Sequence, residues 1–212
     1  MLLHSEILWL AVDIFHRFIS SGAGPTISAY HTGLACLWLS AKVEGQHPHR
    51  YRLRHFARFI DDRGRTKRRM IHEEAQILAA LQFRLSGFVP PPFWVGHISA
   101  AGGSDPFTLQ IALVLVDTTV AEPYLWTWPP KELAAVAVLV ACKMWHGQHW
   151  GPAHSTASGF QEHDLVDRGN MLLEYLRSDN YRSSYMYRKY KEEEHNHVGE
   201  HVRLWALNHT VI

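Results

Sequence analysis

The 212-residue sequence has little of what announces most chemistries. Its two cysteines, Cys36 and Cys142, are too few for a disulfide framework. Both lie in apolar stretches of helical spacing, which fits small core residues in a reducing compartment and makes an intracellular location the expectation. Neither sign of charge dominates: 21 lysines and arginines face 20 aspartates and glutamates, for a formal net charge of +1. The totals therefore give no field for general nucleic-acid or membrane-surface binding. The longest apolar run, LAAVAVLVAC at 133–142, falls short of the roughly 18 residues a bilayer span needs and reads as a buried helix. The opening MLLHSEILWLAVDIFHRFI lacks a basic n-region and a small-residue cleavage site, and it carries Glu6, Asp13, His16 and Arg17. It reads as an amphipathic helix, not a signal peptide. No segment alternates like a strand, and HExxH, CxxC, a phosphate loop and GxSxG are all missing.

What is present is an ordinary globular composition, 47% hydrophobic and 19% charged, enough for one large or two small domains. Ile7, Leu10, Ala11, Ile14 and Phe18 recur at helical spacing over about 6–19, and SSGAGP ends that helix. Ser28 can cap a second helix running through Leu34, Leu37, Trp38 and Ala41 to Lys42, and YRLRHFARFI allows a shorter third. Thr66 is a candidate cap for a fourth, in which Ile71, Ala75, Leu78, Ala79 and Gln82 continue the helical period.

GFVPPP at 87–92 is the clearest break, because consecutive prolines cannot continue a helix. It divides the chain into 1–88 and 89–212. Beyond it, helices are expected at about 93–100, 106–119, 130–145, 161–176 and 181–193, so the fold class is all-α. The halves echo each other: LWLSAKVEG and VLVACKMWHG each end an apolar, small-residue helix with a lysine, Lys42 and Lys143. A separation of about 100 residues suits a duplicated helical domain better than a solenoid.

These stretches carry a family resemblance over nearly the whole chain. LAVDIFHRFIS is similar to LAVNxxDRFLS, LSAKVEG to LASKxEE, and TKRRMIHEEAQILAALQFRL to the helix ending LKxLxFxL, all segments of the cyclin box. HISAAGGSD resembles RISKADxxD, and AEPYLWTWPPKELAAVAVLVA resembles DPxLxxxPPSxxAAAAxxLA, both of B-type mitotic cyclins. The resemblance implies two tandem cyclin boxes and a regulatory subunit that binds and activates a cyclin-dependent protein kinase, in nucleus and cytoplasm. It implies no catalytic residue, cofactor, metal, nucleic acid, membrane or small-molecule ligand. Lys42 and Glu74 match the pair that clamps the kinase backbone ahead of its regulatory helix. Leu78, Phe83 and Leu85 match apolar contacts, and Glu44 is a rim contact.

The chain also departs from the family pattern. The first helix of the first box, with its MRAIL-type segment, and the usual N-terminal extension are expected to be missing, which would leave an apolar face of the first domain uncovered. His16 replaces the DRF aspartate, and Tyr30 stands where the docking groove often has glutamine.

Taken without the family, Lys42 and Glu74 read as a solvated surface pair, Phe83 and Leu85 as core, and Leu78 as core or interface equally. RGRTKRR at 63–69 has the composition of a nuclear-import or phosphate-binding run, or simply forms a helix start. His47-x-His49, His146-x-x-His149 and His195-x-His197 have metal-like spacing among 16 histidines but no carboxylate or cysteine partner at telling distance. The alternative function is a degenerate or truncated cyclin-like adaptor that binds a protein without activating a kinase.

Overall fold

Short polar side chains and prolines set where most of the helices begin. The computed structural model describes residues 5–24, 28–45, 51–57, 59, 65–145 and 148–212, with the side chains of 57, 65 and 66 outside that description. Among the described residues there are twelve α-helices and no strand. Ser28 accepts the backbone N–H of His31 at 3.3 Å, satisfying a donor that the first turn of a helix leaves open. Asp105 accepts from Phe107 and Thr108 at 2.8 and 3.1 Å. Pro91, Pro106, Pro130 and Pro152 each open a helix, where the missing N–H costs nothing and φ is already set.

The chain divides into two compact units, Met1–Phe88 and Val89–Ile212. In the first, α1 (Ser5–Ser20) packs on α2 (Ala29–Glu44), which packs on α4 (Arg65–Ala80); α3 (Leu53–Ala57) lies against α4. Helix α2 can be covered on two sides because Ala35, Cys36, Ser40 and Ala41 are small and fully buried. Leu10, Ile14, Phe18, Ile77 and Leu81 close round it with its own Leu39 in one cluster, and Ile7, Tyr51, Phe56 and Met70 with its own Leu34 in another. Each such large side chain contributes about 1.5–3 kcal/mol when fully buried. A polar contact crosses this core: Thr32 Oγ1 donates to Glu73 Oε2 at 2.8 Å, with both residues wholly buried.

Helix α4 corrects the sequence reading. It begins at Arg65, a residue before the expected cap Thr66, and its buried positions are Met70, Glu73, Ile77 and, just past its end, Leu81. The periodic row read from sequence, Ile71, Ala75, Leu78, Ala79 and Gln82, lies on the opposite side, exposed except for the half-buried Leu78. Two rows of helical period coexist here, and the one holding a glutamate is the core.

In the second unit α7 (Pro130–Met144) is the central element, with every residue from Leu133 to Cys142 buried, as expected of a helix apolar all round. Helices α5 (Pro91–Gly102), α6 (Pro106–Thr119), α8 (Pro152–Ser158) and α9 (Glu162–Arg177) pack on it. The sequence expectation of one helix over 181–193 is overturned. The segment breaks into α10 (Asp179–Ser183), α11 (Tyr185–Tyr190) and a 3-10 turn Glu193–His195. Ser184 has extended backbone and accepts from Tyr187 N at 3.0 Å, so it ends one helix and starts the next. Two α-helices went unread, α8 and α12 (Val198–Asn208), with a 3-10 turn at Pro123–Thr127.

Long-range polar bonds fasten the second unit's outer helices. Arg203 Nη1 donates to the carbonyls of Leu176, Arg177 and Ser178 at 3.0–3.1 Å, capping α9 with a cation at its negative end. Arg177 in return donates to Ala206 O at 2.7 Å. Tyr190 donates to buried Asp117 at 2.5 Å. His154, 3% exposed, stacks on Trp150, and its Nδ1 accepts from Gly151 N–H at 3.1 Å. A Cβ on Gly102 would overlap that ring, which is why the end of α5 carries glycine.

Two outcomes are expected. Thr32→Val removes a hydrogen bond from a fully buried carboxylate and lowers the unfolding free energy in urea by about 1–3 kcal/mol; an unchanged midpoint and slope would show that Glu73 does not depend on the hydroxyl. The second concerns acid. Burial lowers the pKa of His16, His154 and His201 below the ordinary 6.5, the nearby Asp13 partly opposing this at His16. The unfolded chain thus takes up protons before the folded one does. Stability is full above about pH 6.5 and declines as pH falls below it, and His154→Gln makes the decline shallower. A profile flat from pH 7.5 to 5.5 would contradict this.

Candidate functional site

The last turn of α2 and the outer side of α4 bring two of the sequence-predicted residues together. Lys42 Nζ forms an ion pair with Glu74 Oε1. The lysine also sits over the ring of Trp38, one turn back on α2, 4.0 Å from its centroid. Burial of its stem lowers its pKa. Trp38 and Glu74 therefore hold the ammonium in one place while its side chain stays 36% exposed, leaving hydrogen-bond donors to spare. Such a pair is worth at most about 1 kcal/mol to the fold itself.

The other candidates are distributed around this pair. Leu78, four residues along α4 from Glu74, is half-buried and packs with Leu85 against the cluster of α1, α2 and α4. Leu78 and Leu85 thus support the core while still showing part of their surface. Glu44 is exposed on the final residue of α2 and has no ion pair among the described residues.

Phe83 differs from the core reading: it is 73% exposed. Its conformation is unusual too. Gln82 and Phe83 both have positive φ, 52° and 58°, in the left-handed region that side chains other than glycine and asparagine seldom adopt. The pair turns the chain sharply after α4, with Phe83 N–H donating to Leu78 O at 2.9 Å. A phenylalanine held there against its preference, and facing water, signals a use other than stability.

Sequence reasoning missed two neighbours. Val43 is 47% exposed beside Lys42, and Ile71 is 52% exposed one turn before Glu74. Ile71, Glu74 and Leu78 follow at i, i+3 and i+7, so an apolar row runs along α4 beside the ion pair. The signal lay in the second periodic row of α4, which periodicity alone could not assign to either side.

Other candidates from sequence do not gather into a site. Cys36 and Cys142 are free and buried, and burial pushes their thiols up to about 12 and about 11, so neither is a ready nucleophile. Among the described residues no three His, Cys, Asp or Glu side chains group as metal ligands; His47, His49 and His146 lie outside those residues. Of RGRTKRR, Arg63 and Gly64 lie outside them and Lys67 and Arg68 are exposed. Tyr30 is exposed, and its hydroxyl donates to Phe59 O at 2.9 Å. Among the described residues no helix is long and apolar enough to cross a membrane.

Comparison with known proteins fits this geometry into a family. Residues 1–86 match the family model "Cyclin, N-terminal domain" and residues 89–204 match "Cyclin, C-terminal domain". G2/mitotic-specific cyclin-4 of Saccharomyces cerevisiae is 24% identical over 209 residues, 96% of this chain and 43% of the relative. G2/mitotic-specific cyclin cdc13 of Schizosaccharomyces pombe is 25% identical over 207 residues, 97% and 42%. G2/mitotic-specific cyclin-B of Dictyostelium discoideum is 26% identical over 172 residues, 80% and 38%. The chain spans less than half the length of these relatives. With both domain models matched in order and two all-helical units to carry them, the chain belongs to the cyclin family and is similar to its B-type mitotic members.

Proposed function

We propose that this chain is a regulatory subunit that binds and activates a cyclin-dependent protein kinase of the mitotic type, in nucleus and cytoplasm, and performs no catalysis of its own. The observation that supports it most is the exposed Ile71 and half-buried Leu78 of α4 set beside an anchored Lys42–Glu74 pair. An ammonium with spare protons and a carboxylate with spare lone pairs can together satisfy a carbonyl and an amide of a partner's backbone loop. Ile71, Leu78 and Phe83 then offer the desolvated anchors that supply most of the binding energy at protein interfaces. Docking of this kind beside the kinase's regulatory helix would hold that helix inward and let the kinase's own Lys–Glu ion pair form, the arrangement phosphoryl transfer requires.

Pull-down of a cyclin-dependent kinase, with histone phosphorylation read from the bound fraction, tests this directly. Lys42→Ala combined with Glu74→Ala should weaken capture at least about tenfold and abolish activation, while the melting temperature moves little because such a pair contributes at most about 1 kcal/mol to the fold. Capture without activation would favour the adaptor reading, and capture unaffected by the double substitution would remove this surface from the interaction.

Phe83→Gly separates binding from folding. Glycine relaxes the left-handed backbone, so the variant should be as stable as the parent or up to about 1 kcal/mol more so, yet lose kinase capture. Loss of both together would make Phe83 a structural residue.

A further inference from the structure

The turn that carries Phe83 has no conformational preference of its own for the shape it holds. Gln82 and Phe83 are consecutive residues at positive φ, and neither is glycine or asparagine. Such backbone persists only where its surroundings fix it. Phe83 N–H donates to Leu78 O and Arg84 N–H to Leu81 O, both at 2.9 Å. Leu81 before the ring is buried, and Leu85 after it packs on the same cluster. The chain is thus pinned on either side of a phenylalanine that faces water.

A side chain from another helix adds a further hold. Arg17, in the last turn of α1, donates through Nη2 to the carbonyl of Arg84, 67 residues away and directly after Phe83. Its Nη1 donates to Asp13 Oδ2 at 3.1 Å, one turn back on α1. The two bonds use different nitrogens of one planar group, so Asp13 aims the guanidinium and fixes where its second nitrogen points. The base of this bracket is firm: Ile14 and Phe18, next in sequence to Asp13 and Arg17, are fully buried in the cluster that holds Ile77 and Leu81. An ion pair at i, i+4 serves its own helix. The bond to Arg84 is charge-assisted, joins two elements and serves the turn.

We propose that Arg17, aimed by Asp13, is a positioning residue for partner docking: it fastens the Gln82–Phe83 turn so that the ring is presented before a kinase arrives, which rests on Phe83 being a docking residue. An aromatic anchor contributes most when its conformation is set in advance, because ordering it during binding subtracts from affinity. With both terminal nitrogens engaged inside the first unit, Arg17 acts through Phe83.

Hydrogen exchange of the full chain, read residue by residue beside pull-down of a cyclin-dependent kinase, is the test. Arg17→Ala should speed exchange of the Phe83 and Arg84 amides at least about tenfold and leave those of Ile14 and Ile77 unchanged, while kinase capture falls about fivefold or more. Asp13→Asn is a milder variant with the same expected direction. Adding Gln82→Gly to Arg17→Ala relaxes one left-handed residue without touching the ring, so it should restore most of the capture. A residue needed only for the stability of α1 would show no such rescue. Unchanged exchange at 83 and 84, faster exchange at all four amides, undiminished capture, or a loss of capture that Gln82→Gly does not recover would overturn the proposal. Failure of the parent chain to capture the kinase would count against the proposed function, and exchange at 83 and 84 would still uphold or overturn the hold of Arg17 on the turn.

Discussion

In each unit one helix must be covered on several sides at once, and that requirement governs its neighbours. Helix α7 meets it with Ala134, Ala135, Ala137 and Ala141, whose small side chains let α5, α6, α8 and α9 approach closely. Helix α2 meets it with Ala35, Cys36, Ser40 and Ala41 between α1 and α4. Interiors pack at crystal-like density, so a larger residue at these positions would push a whole helix outward rather than distort one side chain. The lysines follow from the same requirement. A helix surrounded along most of its length can show a charge to water only near its end, which is where Lys42 and Lys143 lie. Each finds a glutamate on a packed neighbour, Lys42 with Glu74 and Lys143 with Glu162 at 2.5 Å.

Much of this architecture was legible. The expected spans 106–119 and 130–145 match α6 and α7 to within a residue; the structure shows Asp105 capping the first, and Pro130 opens the second ahead of an unbroken apolar run. The failures have physical causes. Ser184 resembles an ordinary helix residue until its hydroxyl is seen capping Tyr187, and serine's ability to compete for backbone donors is invisible to periodicity. Helix α12 was missed because its buried positions, Val198, Gly199, Val202 and Ala206, form a weak apolar row beside the more conspicuous but exposed Leu204 and Leu207.

The candidate site shows the same division. Family resemblance placed Lys42 and Glu74 32 residues apart in sequence, and the structure sets them in contact. What the sequence could not show was Phe83's backbone, because a positive φ at a phenylalanine has no compositional signature. Nor could it assign the two rows of α4, where a buried Glu73 defeats the rule that charge marks the outside; its bond to Thr32 from another helix contributes to the exception.

The exchange of bonds between Arg203 and Arg177 bears on how the second unit opens. Each arginine belongs to one helix and donates to carbonyls of the other. Ile212 adds a tie, its N–H donating to Asn170 on α9 at 3.0 Å. Helices near a chain end commonly fray residue by residue at almost no cost in free energy. Here α12 cannot leave without uncovering the end of α9, whose Leu172, Leu173 and Leu176 are fully buried. The two therefore form a single cooperative block, and amides of α12 inherit the protection against hydrogen exchange of a helix packed directly on α7.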